Sequence, residues 1–193
     1  MIISVVNKKG GVGKSAFSFS IAKDLNLFLQ SNDNSLIEQL YPGKAKISAY
    51  PKLIANCVYD FGGFVQKGVL EILKASDVLV IPCTPLHNSI LRTLESLQEL
   101  HSVNPRILIL ITNFISLQEK EQCAQKIQEK YKHLSFFYFK HSKILENSMQ
   151  QGLSFTELAS LSPLAKNAYK HFMDEYTRLL NTLSKLRKTT WTA

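Results

Sequence analysis

Apolar positions along the chain fall into short runs separated by polar or glycine-rich breaks, and the period of the runs changes from one to the next. Ile2 to Val6 is a β-branched run that stops at glycines, as a strand buried on both faces does. Beyond the glycines, Ala16, Phe17, Phe19, Ile21, Ala22, Leu25, Leu27 and Phe28 predict an apolar helix reaching about Gln30, broken by Ser31-Asn32-Asp33-Asn34. Ser35 to Leu40 reads as a short second strand, closed by the turn Tyr41-Pro42-Gly43-Lys44. A third strand over Asn56 to Phe61 stops at Gly62-Gly63, and Val65 to Lys74 reads as helix. Asp77 to Ile81 is the next buried strand, halted by Pro82-Cys83-Thr84-Pro85. Helix follows over Ser89 to His101, strand over Arg106 to Thr112, and a charged amphipathic helix over Gln118 to Lys132. Phe136 to Phe139 predicts a last strand and Ile144 to Gln151 a helix. Ser162-Pro163 opens a long C-terminal helix, about 163–188, with serine as N-cap and proline in the first turn.

Strands alternating with helices predict a doubly wound α/β fold, a mostly parallel sheet with helices on both faces. The 193 residues fit one such domain, with the C-terminal helix packed on it. A hydrophobic share of 45% and a charged share of 20% are ordinary for a globular chain and exclude wholesale disorder. Charge changes the picture more. The net +8, from 23 basic and 15 acidic side chains, favours an anionic partner: nucleic acid, nucleotide or anionic lipid. Cys57, Cys83 and Cys123 are widely spaced and the histidines form no ligand cluster, which argues for reduced thiols and against a zinc site. The most apolar stretch, Ile107 to Ile111, is too short to span a bilayer. Met1 to Val6 lacks a basic leader and runs straight into glycine, so a cytoplasmic location is expected.

The candidate chemistry is concentrated in Asn7-Lys8-Lys9-Gly10-Gly11-Val12-Gly13-Lys14-Ser15, set between a strand and a helix. Successive glycines let backbone N–H groups turn toward phosphates where a helix begins, and the helix dipole adds to the attraction. Lys14 would reach the β- and γ-phosphates and the Ser15 hydroxyl would hold Mg²⁺. The strict pattern GxxxxGK[ST] fails, because Lys8 stands at its first glycine. What is present, Lys9 to Ser15, resembles the deviant Walker A box KGGxGK[ST] of the ParA/MinD ATPases, P-loop NTPases that include plasmid and chromosome partition proteins. Cys57-Val58-Tyr59-Asp60-Phe61-Gly62-Gly63 is similar to that family's Walker B strand, and Ala75 to Pro85 to its next strand and proline-bounded loop. Lys140-His141-Ser142-Lys143-Ile144, Glu146 and Gln151 to Phe155 resemble the stretch before its C-terminal helix.

The resemblance implies ATP and Mg²⁺ as ligands, with Lys9, Gly10, Gly11, Val12, Gly13, Lys14, Ser15 and Ala16 around the nucleotide. Lys9 is then the signature lysine that crosses a dimer interface, as an arginine finger does, and acts in catalysis with Lys14 and Asp60. Asp60 would act on Mg²⁺ through water; a solvated loop lysine and a turn-capping aspartate are the plainer readings of Lys9 and Asp60. Asn113 stands where an adenine edge would be met, or is simply a turn-forming asparagine. One segment departs from the family. Its DxDPQ-like stretch, whose second aspartate positions the attacking water, corresponds to Leu36 to Gly43, with Glu38 for the first aspartate and Leu40 for the second. A leucine cannot orient water, so ATP binding is better supported than hydrolysis, which is expected to be slow or partner-stimulated.

The final helix carries an apolar stripe, Leu164, Ala168, Phe172, Tyr176, Leu179, Leu183 and Leu186, with Lys166, Lys170, Arg178, Lys185, Arg187 and Lys188 largely elsewhere. A solvated face and a face for non-specific DNA are both open readings. The resemblance favours DNA, with Lys140, Lys143, Lys166 and Lys170 as candidate contacts. The function expected is a ParA-like DNA-segregation ATPase: a homodimer on ATP binding, nucleoid-associated in that state and stimulated by a ParB-like protein. The alternatives are a nucleotide-dependent interaction module without turnover and a MinD-like membrane-associated positioning ATPase. The membrane reading has thin support, since Lys185 to Ala193 holds a single tryptophan, Trp191, and a polar end.

Overall fold

The computed structural model of the chain describes residues 1–62 and 68–189, with side chains as far as Leu186. Its strands are β1 (Ile2–Val6), β2 (Phe28–Ser31), β3 (Ala45–Ile47), β4 (Cys57–Phe61), β5 (Val78–Cys83), β6 (Ile107–Phe114) and β7 (Ser135–Lys140). They form one sheet in the order β3-β2-β4-β1-β5-β6-β7, and every neighbouring pair is parallel. The helices are α1 (Lys14–Asp24), α2 (Ile37–Leu40), α3 (Val69–Ala75), α4 (His87–Leu100) and α5 (Leu117–Gln128), followed by α6 (Ile144–Gln151), α7 (Phe155–Ser160), α8 (Pro163–Ala168) and α9 (Lys170–Thr189). Alternate residues of a strand face opposite sides, and β4 shows it: Val58 joins a core with Phe17, Phe139 and Tyr176, whereas Cys57, Tyr59 and Phe61 join one with Ile81, Leu97 and Ile127. Burial on both faces is why the central strands read as unbroken apolar runs.

The chain starts in the middle of the sheet. From β1 it winds outward to β2 and β3, returns at β4, and crosses β1 to continue in the other direction with β5. Where the winding reverses, a crevice opens beyond the carboxyl ends of β1, β4 and β5.

Three expectations are corrected. The apolar run through Phe28 is not all helix: α1 ends at Asp24, Asn26 takes a left-handed φ of 54°, and Leu27 and Leu29 then turn into the core as β2 begins. Asparagine closes a helix in that conformation as glycine more often does. Ser35 to Leu40 is consequently not the second strand; it holds the single turn α2, and the sheet edge is the three-residue β3. The C-terminal helix over 163–188 is two helices that break at Tyr169. Packing separates them: α8 buries no side chain, while α9 is aligned by Phe172, Tyr176, Leu179 and Leu183 in the core. A smaller difference lies at Pro82, which β5 runs past to Cys83. The β1 pairing has already ended at Val80, so the missing N–H costs no ladder bond on that side. The start of the helix expected over Val65 to Lys74 and Gly63 of the Walker B-like segment lie outside the described residues.

Candidate nucleotide site

The loop after β1 is anchored before its first glycine. Asn7 is fully buried; its amide donates to the Pro82 carbonyl at 2.7 Å and to Thr93 Oγ1 at 2.8 Å, and its Oδ1 accepts the Lys9 N–H at 2.9 Å. Across the loop, Thr112 Oγ1 donates to the Val12 carbonyl at 3.0 Å. Gly11 and Gly13 have φ of 73° and 95°, a region where a side chain is strained. Gly13 also opens α1 without a side-chain cap, leaving first-turn N–H groups for an anion.

Four charged groups converge on this turn. Lys14 is buried, and its Nζ donates to the Lys9 carbonyl at 3.0 Å. Ser15 Oγ donates to Asp60 Oδ2 at 2.6 Å, while Asp60 Oδ1, in a residue 1% exposed, has no partner. Burial lowers the Lys14 pKa, Asp60 and Asp33 work against that, and the Lys9 charge adds to it. Burial raises the Asp60 pKa; Ser15 and Lys14 oppose the shift, and Asp33 reinforces it. A buried carboxylate oxygen without a partner beside a hydroxyl is a donor set that fits Mg²⁺, with Ser15 and Asp60 to hold it. Ala16 lies buried in the first turn of α1.

Asp33 was not among the expected site residues. Ser31 pairs with Asp60 across the sheet, the Asn32 N–H reaches the Asp60 carbonyl at 3.3 Å, and the Gly62 N–H donates to Asn32 Oδ1 at 2.9 Å. Asp33 is thereby held so close to Gly62 that a Cβ there would lie 3.0 Å from Asp33 Oδ2. The segment after the second strand is therefore Asn32-Asp33, and Leu36 to Gly43 does not occupy that place. Leu40 packs beside Gly152 on the core, and Glu38 Oε1 accepts the Ile47 N–H at 2.8 Å, which tethers β3. The missed signal was Asn26 as a helix stop, which would have moved the strand forward and put the aspartate directly behind it.

On the far side of the loop, a cleft of about 400 Å³ is lined by Lys9, Gly10, Gly11, Thr84, Leu86 and Asn113, among others. Asn113, with φ 59°, sits where the pairing of β6 with β7 shifts register, and its Oδ1 lies 3.3 Å from His141 Nδ1. Lys143 adjoins the same asparagine in a smaller hollow with His141 and Glu146, so it belongs to the margin of the crevice. Lys140 is exposed at the end of β7. Lys166 and Lys170 line a separate groove of about 660 Å³ among α7, α8 and α9, and Lys170 pairs with Asp174 at 2.9 Å. The side chains of Arg187 and Lys188, and Trp191 as a whole, lie outside the described residues.

A parallel sheet wound in this order, a glycine loop between its central strand and α1, and an aspartate ending the adjacent strand define the P-loop NTPase fold of the ParA/MinD type. Solved structures that the chain resembles are of that type. Apo McdA from Cyanothece matches with a TM-score of 0.62 and 16% identity over 91% of this chain and 99% of that one. MinD from Pyrococcus horikoshii, complexed with Mg-ADP, gives 0.64 and 12% over 100% and 99%. A protein from Borrelia burgdorferi described as a plasmid partition protein, bound to AMPPNP, gives 0.56 and 14% over 92% and 98%. No protein-family model and no curated protein matches the sequence.

Proposed function

We propose that the chain is a ParA-like ATPase of DNA segregation that binds Mg-ATP over Gly10 to Ser15, dimerises face to face on ATP and then holds DNA without regard to sequence. The observation that carries the reading is the meeting of Lys14, Ser15, Asp60 and Asp33 at one turn. Lys14 would face the β- and γ-phosphates, and Ser15 and Asp60 would hold Mg²⁺, Asp60 through water. Bound Mg²⁺ neutralises charge on the phosphates. Asp33 supplies the carboxylate that orients the attacking water, a task Leu40 could not perform, so hydrolysis is within reach of this chain. Lys9 reaches the partner's nucleotide. Leu86, Ile115 and Leu117, each about two-thirds exposed beside or near the same cleft, support a face that another copy covers. A ParB-like stimulator and a cytoplasmic, nucleoid-associated location complete the reading. Among the described residues no helix is long and apolar enough to cross a membrane.

The test separates binding from turnover. Lys14→Ala abolishes ATP binding in a folded chain. Asp33→Ala keeps ATP affinity within about threefold and stops single-turnover hydrolysis, in line with loss of an oriented nucleophile. Leu40→Asp changes neither. Unchanged ATP affinity in folded Lys14→Ala overturns the site. Hydrolysis that survives Asp33→Ala overturns the role of that aspartate.

A further inference from the structure

At the opposite end of the sheet from the crevice, two histidines meet. His101 caps the carboxyl end of α4, its N–H donating to the Leu97 carbonyl at 2.9 Å, and His133 lies just before β7. Their ring centroids are 5.0 Å apart and their Nε2 atoms 2.9 Å apart. One Nε2–H donates to the lone pair of the other Nε2, so both nitrogens face the same small space; with the donor ring in its Nδ1–H tautomer, both Nε2 lone pairs are open to a cation there. The backbone beneath them is fixed: Leu100 and Leu134, their chain neighbours, are buried, and the Tyr131 ring packs 5.7 Å from His101. Both imidazoles reach the surface, His133 the more exposed.

We propose that His101 and His133 form a two-imidazole chelate for a divalent cation of the Cu²⁺ and Ni²⁺ class, with water completing the coordination. For metal–nitrogen bonds of about 2.0–2.1 Å, two imidazoles at a right angle stand about 2.9 Å apart, and two at the tetrahedral angle about 3.3–3.4 Å. The observed 2.9 Å is that of the hydrogen bond between the facing nitrogens; a tilt of the rings at the same separation turns both toward one ion as a right-angle pair, the arrangement of the tetragonal sites that Cu²⁺ and Ni²⁺ prefer. Zinc would require the pair to open. The carbonyl end of α4 favours a cation at this place. Among the described residues no third histidine, cysteine or carboxylate joins the pair, so the remaining positions are open to water. A metal held here ties the end of α4 to the entry of edge strand β7. Because it binds the folded chain in preference to the unfolded one, it stabilises the fold.

The full chain is titrated with Cu²⁺ and with Ni²⁺ in buffer containing Mg²⁺, with calorimetry, Cu²⁺ electron paramagnetic resonance and thermal melting as readouts. The expected result is one bound Cu²⁺ with the nitrogen splitting of two imidazoles, weaker Zn²⁺ binding, and a melting temperature that rises with Ni²⁺. Loss of an outer hydrogen-bond partner commonly costs about tenfold or more in metal affinity, so His101→Ala and His133→Ala should each lose at least that much. His171→Ala, in the first turn of α9 beside Phe172 and the far end of β7, should bind as the wild type does. Melting without metal shows whether each variant is folded, and either folded variant suffices. A wild type that binds neither ion, or Cu²⁺ binding and two-nitrogen splitting that survive both substitutions, overturns the site.

Discussion

Asp60 shows how much one buried side chain can decide. Its carboxyl is 1% exposed, one oxygen is engaged by Ser15 and the other has no partner. Burial holds its pKa above the ordinary carboxylate range. A group whose folded pKa is raised contributes stability below its unfolded pKa and loses it as pH rises through the folded value. The nucleotide-free chain therefore carries Asp60 as a liability near neutral pH, whereas a cation requires the charged form. Acidification should thus weaken the Mg²⁺-dependent part of ATP affinity before ordinary carboxylates titrate. Asp60→Asn should abolish that Mg²⁺ enhancement, flatten its pH dependence and leave the nucleotide-free chain at least as stable at neutral pH. Nucleotide titrations with and without Mg²⁺ across a pH series check this, and an enhancement retained in Asp60→Asn refutes it.

Among the elements, α9 does more than fill the core. It sends Glu175 to accept the Tyr138 N–H at 2.7 Å and Arg178 to donate to the Phe136 carbonyl at 2.8 Å, closing part of the free edge of β7. The two side chains also bond each other, and the guanidinium lies 4.0 Å from the centre of the Phe137 ring. An open parallel edge is a template for association, and side chains laid along it block that. Arg178 is consequently spent on the sheet, although the sequence placed it among the basic residues lying largely off the apolar stripe of the last helix. Removing either partner should cost about 1–2 kcal/mol, the scale of a charged hydrogen bond partly replaced by water. The double variant Glu175→Ala/Arg178→Ala should also self-associate. Urea midpoints and sedimentation velocity measure both, and an unchanged midpoint in both single variants rules the device out. A second joint ties α1 to the C-terminal helices: Asp24 accepts Ser154 Oγ at 2.6 Å, Thr156 Oγ1 at 3.0 Å and the fully buried Tyr176 hydroxyl at 2.9 Å. Asp24→Ala orphans a buried hydroxyl and two further donors, and should cost about 2–4 kcal/mol in the same urea experiment, against about 1 kcal/mol for Tyr176→Phe. Equal losses in the two variants would mean that Asp24 serves only the tyrosine.

For the molecule as a whole, the net +8 charge is spread over more than one surface: Lys143 lies at the crevice, Lys166 and Lys170 in the groove by α8. DNA affinity should appear with ATP and fall steeply with salt, by about 0.9 in log K per log salt for each phosphate neutralised. Lys166→Glu should weaken it more than Lys170→Glu, whose ammonium already serves Asp174. Lys9→Ala should keep ATP binding and lose the ATP-induced dimer in ultracentrifugation; DNA binding that ignores ATP or salt counts against the whole scheme. What the sequence determined by itself is whatever neighbouring residues enforce. The left-handed glycines, the lysine and the serine of the loop lie within two turns of chain, and β1, β4 and β6 announce themselves by doubly buried apolar runs. Asn26 shows the limit of that rule, because one residue in a left-handed conformation moved β2 and with it the aspartate that follows. Only the tertiary structure decided which distant groups meet: Asp33 with Gly62 and Lys14, Asn113 with His141, Glu175 with the edge of β7, and His101 with His133. The reason is physical, since backbone conformation is set by local sterics, whereas strand order is set by burial of whole faces, and no local pattern along the chain specifies which faces will share an interior.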